Sequence, residues 1–310
     1  MNPEDVRTVG IVGAGLMGHS IAQEFAVAGC QVALNDVSEE RLGHARERIR
    51  QNLEMLGRSQ EVDEVETRMT FTGDLRTAVE GADLVVEAVT EDLEIKRALF
   101  AELESICRED AILASNTSTF MPSQLAEAAK NPGRVLVTHY FNPPHVVPLV
   151  EVVGGRDTSP ETIETVRELL LSQGKKPVVL GTEALGFIAN RLQAALLREC
   201  FALVENGVAR PEDIDTVVTT SLGRRLGVAG PFEVFDAAGA DVWHAIFEGL
   251  SHDIESSTEV PLGIARMVER GDFGLKTGRG VYEWTPESSA ELRSRIARAV
   301  EEIGRWNDGE

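Results

Sequence analysis

Apolar and polar residues follow two different patterns along the first half of the chain. Short β-branched runs are separated by longer stretches in which apolar residues recur at helical spacing. This pattern is typical of a mostly parallel sheet whose strands are joined by crossover helices. We predict strands at residues 8–12, 31–36, 69–72, 84–89, 111–114, 135–138, 149–153 and 177–180. We predict helices between them at residues 17–28, 39–56, 95–106 and 160–172.

The pattern changes after about residue 182. From there on, apolar residues recur at a period of about 3.6 and are interrupted by Gly and Pro, which predicts helices rather than strands. These helices are expected at residues 187–205, 211–221, 232–250, 262–270 and 287–306. We therefore predict an α/β domain over residues 1–182 and an all-helical domain over residues 183–310.

The charge balance of the chain argues against two classes of partner. Among 310 residues, 51 are Asp or Glu and 30 are Lys or Arg, which gives a formal net charge of −21. Nucleic acids and anionic membrane surfaces attract proteins through positive potential, so neither is expected as a partner. Because 43% of the residues are hydrophobic, the chain can bury a sizeable core. A globular protein that acts on a small molecule is the prediction.

The spacing of cysteines and histidines bears on compartment and on metals. The three cysteines lie far apart without a C-x-x-C pair, and no signal-peptide pattern precedes the first strand. No apolar stretch reaches the roughly 20 residues that a membrane helix needs. We therefore expect a cytoplasmic protein. The six histidines are scattered without the spacing of metal ligands, so no metal site is predicted.

A glycine-rich motif, Gly-Ala-Gly-Leu-Met-Gly, directly follows the first predicted strand and opens the first helix. Gly13 permits a tight turn, Gly15 leaves space for a pyrophosphate, and Gly18 lets the helix approach the strand. Leu16 and Met17 lie between these glycines at the positive end of the helix, where anions bind. The motif predicts a Rossmann-type dinucleotide site in a doubly wound sheet.

An acidic residue ends the second predicted strand. Asp36 lies 18 residues after Gly18, and its carboxylate is expected to accept hydrogen bonds from ribose hydroxyls and to repel a 2′-phosphate. No arginine directly follows it, the next being Arg41. These features favour NAD over NADP as the cofactor. His19, beside Gly18, is expected to be a surface or helix-facing side chain.

Two reactive side chains are expected at the carboxyl ends of neighbouring strands, where ligands bind in open parallel sheets. Ser118 follows the fifth predicted strand and His139 the sixth. An imidazole, with an ordinary pKa of about 6.5, suits the base that takes the proton of an alcohol as its hydride leaves. Glu151 lies in an apolar strand, where an unpaired charge is costly, and is the candidate to orient that imidazole. His145 is a rival base whose position favours a substrate contact.

Several further segments resemble one known family. They are SNTS at residues 115–118, HYFNPP at 139–144, LVE at 149–151, GFIANR at 186–191, GPFE at 230–233 and KTGRGVY at 276–282. In order and spacing, from about residue 8 to residue 284, they resemble the L-3-hydroxyacyl-CoA dehydrogenase family. The resemblance implies an NAD-binding Rossmann domain followed by a helical domain that binds substrate and dimerises.

This resemblance implies a role for several positions. His139 corresponds to the catalytic base of the family and Glu151 to its dyad partner. Ser118 and Asn190 correspond to the residues that hold the substrate oxygen and the histidine. The implied cofactor-binding residues lie in the glycine-rich motif, at the end of the second strand and after the fourth and fifth strands. They are Gly13, Gly15, Leu16, Met17, Gly18, Asp36, Glu91, Lys96 and Asn116.

The resemblance favours a coenzyme A thioester as the substrate, and a free hydroxy acid is the alternative. The motif set as a whole implies oxidation of an L-3-hydroxyacyl-CoA to the 3-ketoacyl-CoA, as in fatty acid metabolism. Members that use coenzyme A carry lysines against its phosphates after the ribose-binding acid, whereas residues 51–66 here include five Asp or Glu side chains and offer only one cation, Arg58. The Pro143-Pro144 segment resembles members that oxidise free hydroxy acids, such as gulonate, carnitine and pyridine-carboxylate dehydrogenases.

The candidate substrate contacts are Ser118, His145, Arg224 and Arg225. A guanidinium group binds a free carboxylate in a bidentate manner, although the two arginines are equally well explained as surface residues at a helix end. A third hypothesis is a non-catalytic NAD-binding structural protein, similar to a recruited crystallin. The complete set of Ser118, His139, Glu151 and Asn190 argues against it.

Overall fold

One sheet of eight strands organises the N-terminal part of the chain. The computed structural model describes residues 2–127 and 129–308, and the chain divides into two units between Asn190 and Arg191. The strands are β1 Thr8–Val12, β2 Gln31–Asn35, β3 Met69–Thr72, β4 Leu84–Glu87, β5 Ile112–Ser115, β6 Val135–Tyr140, β7 Leu149–Gly154 and β8 Lys176–Val179. Their order across the sheet is β3-β2-β1-β4-β5-β6-β7-β8. All neighbouring pairs are parallel except β6 and β7, which are antiparallel.

Helices join most of these strands. They are α1 Gly18–Val27, α2 Glu39–Met55, α3 Val62–Thr67, α4 Leu75–Val79, α5 Leu93–Ile106, α6 Pro122–Leu125 and α7 Pro160–Ser172. Several begin at side chains that accept a hydrogen bond from the first turn: Ser38 from the Arg41 amide and Asp92 from the Ile95 amide. Such caps satisfy amides that have no partner within the helix, which explains why the helices begin at these residues.

Apolar cores lie on both faces of the sheet. Successive residues of β1 point to opposite faces, so Ile11 packs in the same cluster as Phe25 while Val12 packs in a second cluster with Val85. Strands buried on both faces are nearly continuous in apolar residues, as the sequence shows for β4 and β6. The predicted Rossmann-type, doubly wound architecture is confirmed.

The order of strands creates a switch point between β1 and β4. From β1 the chain first builds β2 and β3 on one side, and it then returns to build β4, β5 and β6 on the other. In open sheets of this type, ligands bind at the switch point beyond the carboxyl ends of the strands. The glycine-rich loop after β1 and the loops after β4, β5 and β6 therefore share the edge at which a ligand binds.

The second unit is helical, as predicted. Its helices are α8 Ala189–Glu205, whose first two residues belong to the first unit, α9 Pro211–Val217, α10 Gly223–Leu226, α11 Pro231–Ala238, α12 Ala240–Leu250, α13 Leu262–Arg270 and α14 Pro286–Asp308. A π-helical segment, Val218–Leu222, joins α9 to α10. Among the described helices of the whole chain, none is long and apolar enough to cross a lipid bilayer.

Several predicted elements differ from the structure in their bounds, and two of these differences have a clear physical cause. Residues 232–250 do not form one helix, because Gly239 has a φ of 93° and ends α11 before α12 begins. A backbone with positive φ cannot continue a right-handed helix. His139 does not follow its strand but lies within β6, because the antiparallel pairing with β7 extends the ladder to Tyr140.

Candidate active site

The glycine-rich loop has the geometry of a phosphate cradle. Gly13 has a φ of +106°, and a Cβ atom there would lie 2.5 Å from the carbonyl oxygen of Ala88. A Cβ atom on Gly18 would lie 1.7 Å from the carbonyl oxygen of Gly13, so both positions require glycine. A Cβ atom on Gly15 would meet no atom within 4 Å. The space over Gly15 is therefore open, which fits a pyrophosphate placed close to the backbone at the start of α1.

Asp36 directly follows β2 and is bound to the glycine-rich loop. Its Oδ2 atom accepts a hydrogen bond from the Ala14 amide at 3.0 Å, and its Oδ1 atom accepts one from the Ser38 amide at 3.0 Å. Arg41 lies 3.8 Å from Oδ1 and is largely exposed. The carboxylate is thus fixed beside the loop, with oxygen lone pairs left to accept from ribose hydroxyls.

His19 is buried rather than at the surface, with 4% of its area exposed. Its Nδ1 atom lies 2.7 Å from the carbonyl oxygen of Gly15. Burial lowers the pKa of His19, and the hydrogen bond to Gly15 offsets only part of that effect. The imidazole therefore stabilises the glycine-rich loop from the first turn of α1.

His139 and Glu151 form a buried pair. They are register partners on β6 and β7, and Nδ1 of the imidazole lies 2.8 Å from Oε2 of the carboxylate. Both side chains are nearly inaccessible to solvent. Nδ1–H then donates to the carboxylate, which leaves Nε2 as the basic nitrogen of the neutral ring. Nε2 has no hydrogen-bond partner among the described residues of the chain.

The second oxygen of Glu151 is held by the start of α8. Oε1 accepts hydrogen bonds from the amides of Ile188 and Ala189, both at 2.9 Å. Gly186 and Phe187 have φ values of 73° and 53°, and this left-handed turn directs the two amides at the carboxylate. A left-handed non-glycine residue costs roughly 1–2 kcal/mol, so the surrounding contacts must stabilise the turn. Both oxygens of Glu151 are thus fixed.

Two aromatic rings enclose the imidazole of His139. The centroid of Phe141 lies 4.5 Å from that of the imidazole, and the centroid of Phe187 lies 5.4 Å from it. These rings exclude water from the dyad and limit the orientations of the histidine. The hydrogen bond to Glu151 fixes the remaining rotation.

The loop that carries Ser118 is held at several points. Oε1 of Glu91 accepts hydrogen bonds from the Ser118 amide at 3.0 Å and from the hydroxyls of Thr117 and Thr119 at 2.5 and 2.9 Å. Nδ2 of Asn190 donates to the carbonyl oxygen of Ser118 at 3.1 Å. Burial raises the pKa of Glu91, but the Thr117 hydrogen bond and the charge of Lys96 outweigh it and leave that pKa below its ordinary value.

Asn116 links this loop to the strand of the dyad. Its Oδ1 atom accepts a hydrogen bond from the amide of Tyr140, the residue next to His139, at 3.0 Å. β5 and β6 are parallel neighbours, so Ser118, which follows β5, and His139, near the end of β6, lie toward the same edge of the sheet. The structure therefore places Ser118, Asn116, Asn190 and the dyad in one network of contacts.

Sequence reasoning missed Glu87, a fully buried acid at the end of β4. Its Oε1 atom accepts from Lys96 at 2.6 Å, and its Oε2 atom accepts from the Ser115 hydroxyl at 2.6 Å. Lys96, also buried, lies 3.2 Å from Oε2 of Glu91. The signal was present, because Glu87 ends an apolar strand just as Glu151 lies within one, and an unpaired charge is costly in either place.

His145 contacts α1 rather than the dyad. Its Nδ1 atom lies 2.6 Å from the hydroxyl oxygen of Ser20. Burial, helped by the charges of His19 and Lys175, lowers the pKa of His145 to about 4. Such an imidazole is a weak base near neutral pH. The same loop is held by Lys175, which donates to the carbonyl oxygen of Pro144 at 2.7 Å.

Arg224 and Arg225 lie on α10 in the second unit, and both side chains are exposed. Neither makes an ion pair or hydrogen bond that involves its guanidinium among the described residues. Their role as substrate contacts stays a prediction. Among the described residues of both units, no group of three or more His, Cys, Asp or Glu residues has the arrangement of a metal site.

Comparison with known families finds matches over most of the chain. The profile of "3-hydroxyacyl-CoA dehydrogenase, NAD binding domain" matches residues 8–184, and that of "3-hydroxyacyl-CoA dehydrogenase, C-terminal domain" matches residues 186–284. A protein of Mesorhizobium japonicum, 5-formyl-3-hydroxy-2-methylpyridine 4-carboxylate 5-dehydrogenase, is 35% identical over 307 residues. That alignment covers 98% of this chain and 99% of the relative.

Two solved structures are similar over most of their length. A crystal structure of 5-formyl-3-hydroxy-2-methylpyridine 4-carboxylic acid 5-dehydrogenase, described as an NAD⁺-dependent dismutase, has a TM-score of 0.90 and 33% identity. It covers 98% of this chain and 99% of that chain. The (S)-3-hydroxybutyryl-CoA dehydrogenase from Ralstonia eutropha has a TM-score of 0.75 and 31% identity, covering 91% of this chain and 100% of that chain.

Proposed function

Since the chain belongs to the 3-hydroxyacyl-CoA dehydrogenase family, we propose that its substrate is a free hydroxy acid rather than a coenzyme A thioester. The family fixes the reaction class: the protein is an NAD-dependent dehydrogenase that acts on a CH–OH group. The choice of substrate rests on the electrostatics of one segment, residues 51–66.

The segment that begins in the last turns of α2, residues 51–66, has no free cation to offer a polyanion among its described side chains. Its arginine, Arg58, donates to Glu61 through two hydrogen bonds of 2.7 and 2.5 Å. Arg50, just before the segment, is bound to Glu66 at 2.7 Å. The family resemblance implies that members that use coenzyme A carry lysines against the phosphates of the nucleotide in this region. A phosphate here would have to displace a carboxylate from an arginine and would face the remaining acids.

Overall similarity supports the same choice. The chain aligns with the pyridine-carboxylate dehydrogenase over nearly the full length of both proteins. Its structural similarity to that enzyme is also greater than to the hydroxybutyryl-CoA dehydrogenase. We therefore propose that the protein oxidises a substrate that bears a free carboxylate and no coenzyme A. Arg224 and Arg225 are the candidates to bind that carboxylate.

The dyad would act as the base. Nε2 of His139 takes the proton of the substrate hydroxyl, and Glu151 stabilises the imidazolium that forms because its carboxylate lies 2.8 Å from Nδ1. Ser118 and Asn190 would position the substrate oxygen and the histidine. The two amides that bind Oε1 of Glu151 keep the carboxylate aligned during this transfer.

The cofactor would lie along the carboxyl edge of the sheet. Gly13, Gly15, Leu16, Met17 and Gly18 would hold the pyrophosphate, and Asp36 the adenosine ribose. Glu91 and Asn116 would contact the other nucleotide half, because they follow β4 and β5. Lys96, which is buried, would hold Glu91 in place rather than touch the cofactor. When bound, NAD accepts the hydride that leaves the carbinol carbon.

A coenzyme A thioester is the second candidate. It is favoured by one observation: both family profiles that match the chain are named for 3-hydroxyacyl-CoA dehydrogenase. The dyad would perform the same chemistry on an L-3-hydroxyacyl-CoA, and the protein would then serve fatty acid metabolism. The charge of residues 51–66 argues against it.

We also propose that the protein is a homodimer formed through its second unit. None of the described side chains of residues 191–306 is buried, although the unit is rich in apolar residues. Phe232, on α11, is 83% exposed, and Phe247, on α12, is 54% exposed. A helical unit without a core of its own is stabilised when a second copy covers its apolar faces. Light scattering should give twice the mass of the 310-residue chain; a monomer at micromolar concentration would contradict this proposal.

The cytoplasm is the proposed location. Cys30, Cys107 and Cys200 are all free thiols, and Cys30 and Cys107 are buried. Free thiols persist in a reducing compartment. Localisation of the tagged protein would test this directly.

A panel assay tests the proposed function. The purified enzyme is incubated with NAD and each of several free hydroxy acids, namely gulonate, carnitine, 3-hydroxybutyrate and hydroxymethyl pyridine carboxylates, and NADH absorbance is followed. L-3-hydroxybutyryl-CoA is tested beside them. Turnover of a free acid supports the proposal, whereas turnover confined to the thioester overturns it in favour of the second candidate.

A further inference from the structure

We propose that Glu87 is a positioning residue that fixes the loop carrying Ser118, acting through Lys96 and Glu91. Its importance for catalysis rests on the function proposed above, but its effect on the loop does not. Glu87 belongs to none of the residues predicted to bind substrate or cofactor, and it contacts the reacting groups only through others.

The carboxylate of Glu87 is completely enclosed and fully hydrogen-bonded. Its side chain is 0% exposed at the end of β4. Oε1 accepts from the Val89 amide at 2.7 Å and from Nζ of Lys96 at 2.6 Å. Oε2 accepts from the hydroxyl of Ser115 at 2.6 Å. A carboxylate at this depth is tolerated because a cation and two neutral donors compensate it.

Lys96 links the buried carboxylate of Glu87 to the partly exposed carboxylate of Glu91. The lysine is 1% exposed, and its ammonium lies between two carboxylates, Glu87 and Glu91. Its distance to Oε1 of Glu87 is 2.6 Å, and its distance to Oε2 of Glu91 is 3.2 Å. The shorter contact is the buried one, so Glu87 is the residue that determines where the ammonium lies.

Glu91 then holds the loop. One of its oxygens faces Lys96, and the other accepts from the Ser118 amide and from the hydroxyls of Thr117 and Thr119. With Oε2 bound to the ammonium, Oε1 is directed at these three donors. The carboxylate is partly exposed, so without Lys96 it would be free to rotate toward solvent. Removing the charge of Glu87 therefore loosens the loop by way of Lys96.

A second route runs from Glu87 through Ser115. The hydroxyl of Ser115 donates to Glu87 and accepts from the Thr117 amide at 3.1 Å. Glutamine at position 87 would preserve this route, because its amide group can donate to the serine hydroxyl. It would also keep an oxygen for the Val89 amide. Glu87→Gln therefore removes the charge beside Lys96 while it keeps the shape and most hydrogen bonds.

The same helix provides a matched control. The side chain of Glu104, near the other end of α5, is only 6% exposed and lies 3.6 Å from the buried Arg134. It accepts from the amides of Lys130 and Asn131, and it has no contact with the Ser118 loop among the described residues. Glu104→Gln removes a comparable buried charge. It should destabilise the fold without changing the Ser118 loop.

The test is amide hydrogen exchange of residues 115–120 in the full-length protein without ligands. It compares the wild type with Glu87→Gln, Lys96→Met, the double variant and Glu104→Gln. Hydrogen bonds to charged groups slow exchange by about tenfold or more, so Glu87→Gln should speed exchange in this segment by about that factor. Glu104→Gln should leave it unchanged. In parallel, kcat should fall in Glu87→Gln while KM for the hydroxy acid changes little.

The double variant separates positioning from folding. If Glu87 acts through Lys96, adding Glu87→Gln to Lys96→Met should not change the exchange rate any further. The double variant should also fold, because it contains no buried unpaired charge at these two positions. Wild-type exchange in Glu87→Gln, or an additive effect in the double variant, would overturn the proposal. If the wild type itself oxidises no substrate, the function proposed above has failed, and the exchange measurement still decides the role of Glu87.

Discussion

His139 and Glu151 face each other across two antiparallel strands, with Nδ1 of the imidazole 2.8 Å from Oε2 of the carboxylate. They are 12 residues apart in the chain, and the reversal between β6 and β7 brings them together. Among the described strands of the sheet, this is the only antiparallel pairing. The reversal therefore aligns a base with the acid that orients it.

The dyad predicts a large and non-additive loss of turnover. His139→Gln removes the base, and general base catalysis contributes about 10²–10⁴-fold, so kcat should fall by about that factor. Glu151→Gln should cost a similar factor, because the imidazolium loses its carboxylate. The double variant should be little worse than His139→Gln alone, since the two residues act as a unit.

Steady-state kinetics and NAD titration check this together. The dissociation constant of NAD should stay near the wild-type value in all three variants, because the dyad lies at β6 and β7 and the glycine-rich loop at β1. Unchanged turnover in His139→Gln would remove the base assignment. Additive losses would show that Glu151 has a separate role.

The open space over Gly15 predicts a variant that folds but does not bind cofactor. A Cβ atom there meets nothing in the protein, so Gly15→Ala should not lower the free energy of unfolding. It should raise the dissociation constant of NAD by about tenfold or more, because the pyrophosphate must lie against the backbone at this position. NADH fluorescence titration measures the constant.

Gly43→Ala is the matched control for Gly15→Ala. Gly43 lies in α2, and a Cβ atom there also meets no atom within 4 Å. This variant should bind NAD normally and gain about 0.5–1 kcal/mol in stability. Tight NAD binding by Gly15→Ala would mean that the cofactor does not occupy the space over the loop.

Asp36 should determine the choice between NAD and NADP. Asp36→Asn keeps a side-chain oxygen for the loop but removes the negative charge of the group that accepts hydrogen bonds from the ribose hydroxyls. NAD should therefore bind about 10–100-fold more weakly. NADP should bind relatively better, because Arg41, now 3.8 Å from the carboxylate, becomes available to a phosphate. Adding Arg41→Gln should remove that gain. A wild-type preference for NADP would contradict the cofactor assignment.

His145 should make the fold sensitive to acid. Burial lowers the pKa of His145 from 6.5 to about 4, so the unfolded chain binds this proton at a pH at which the folded chain does not. The free energy of unfolding should therefore fall as the pH falls from about 6.5 to about 4. Above pH 6.5 its contribution is constant.

Urea unfolding at several pH values tests this expectation. His145→Asn should flatten the loss of stability between pH 6.5 and 4 relative to the wild type. His44→Asn, at an exposed position on α2, should not change the slope. Equal slopes for His145→Asn and the wild type would show that His145 is not held neutral.

The sequence pattern predicted the sheet because apolar runs and turn signals are local. The helix α7, for example, begins where Ser159 caps it and Pro160 starts it, and its predicted bounds are confirmed. The direction of β7 could not be predicted, because a strand buried on both faces has the same apolar pattern whether it runs parallel or antiparallel. The predicted domain boundary at residues 182/183 stays a prediction.

The candidate site was harder to predict where its residues are charged and buried. Glu87 ends an apolar strand, which marks it as a buried charge, but nothing in the sequence identifies Lys96 as its partner; only the strand order and the start of α5 bring the two together. The environment of His19 also depends on tertiary contact, because its partner is the carbonyl oxygen of Gly15 in the preceding loop. By contrast, Gly13, Gly15 and Gly18 were predictable, because the backbone itself requires glycine or leaves space there.

The measurement that tests the central claim most directly is kcat/KM for one acyl group with and without coenzyme A. L-3-hydroxybutyryl-CoA is compared with free L-3-hydroxybutyrate and with the best free acid of the panel, at equal NAD and ionic strength. Because Arg58 is bound to Glu61, the enzyme should show a kcat/KM for its best free acid at least about tenfold above that for the thioester. A higher kcat/KM for the thioester than for every free acid would contradict the account.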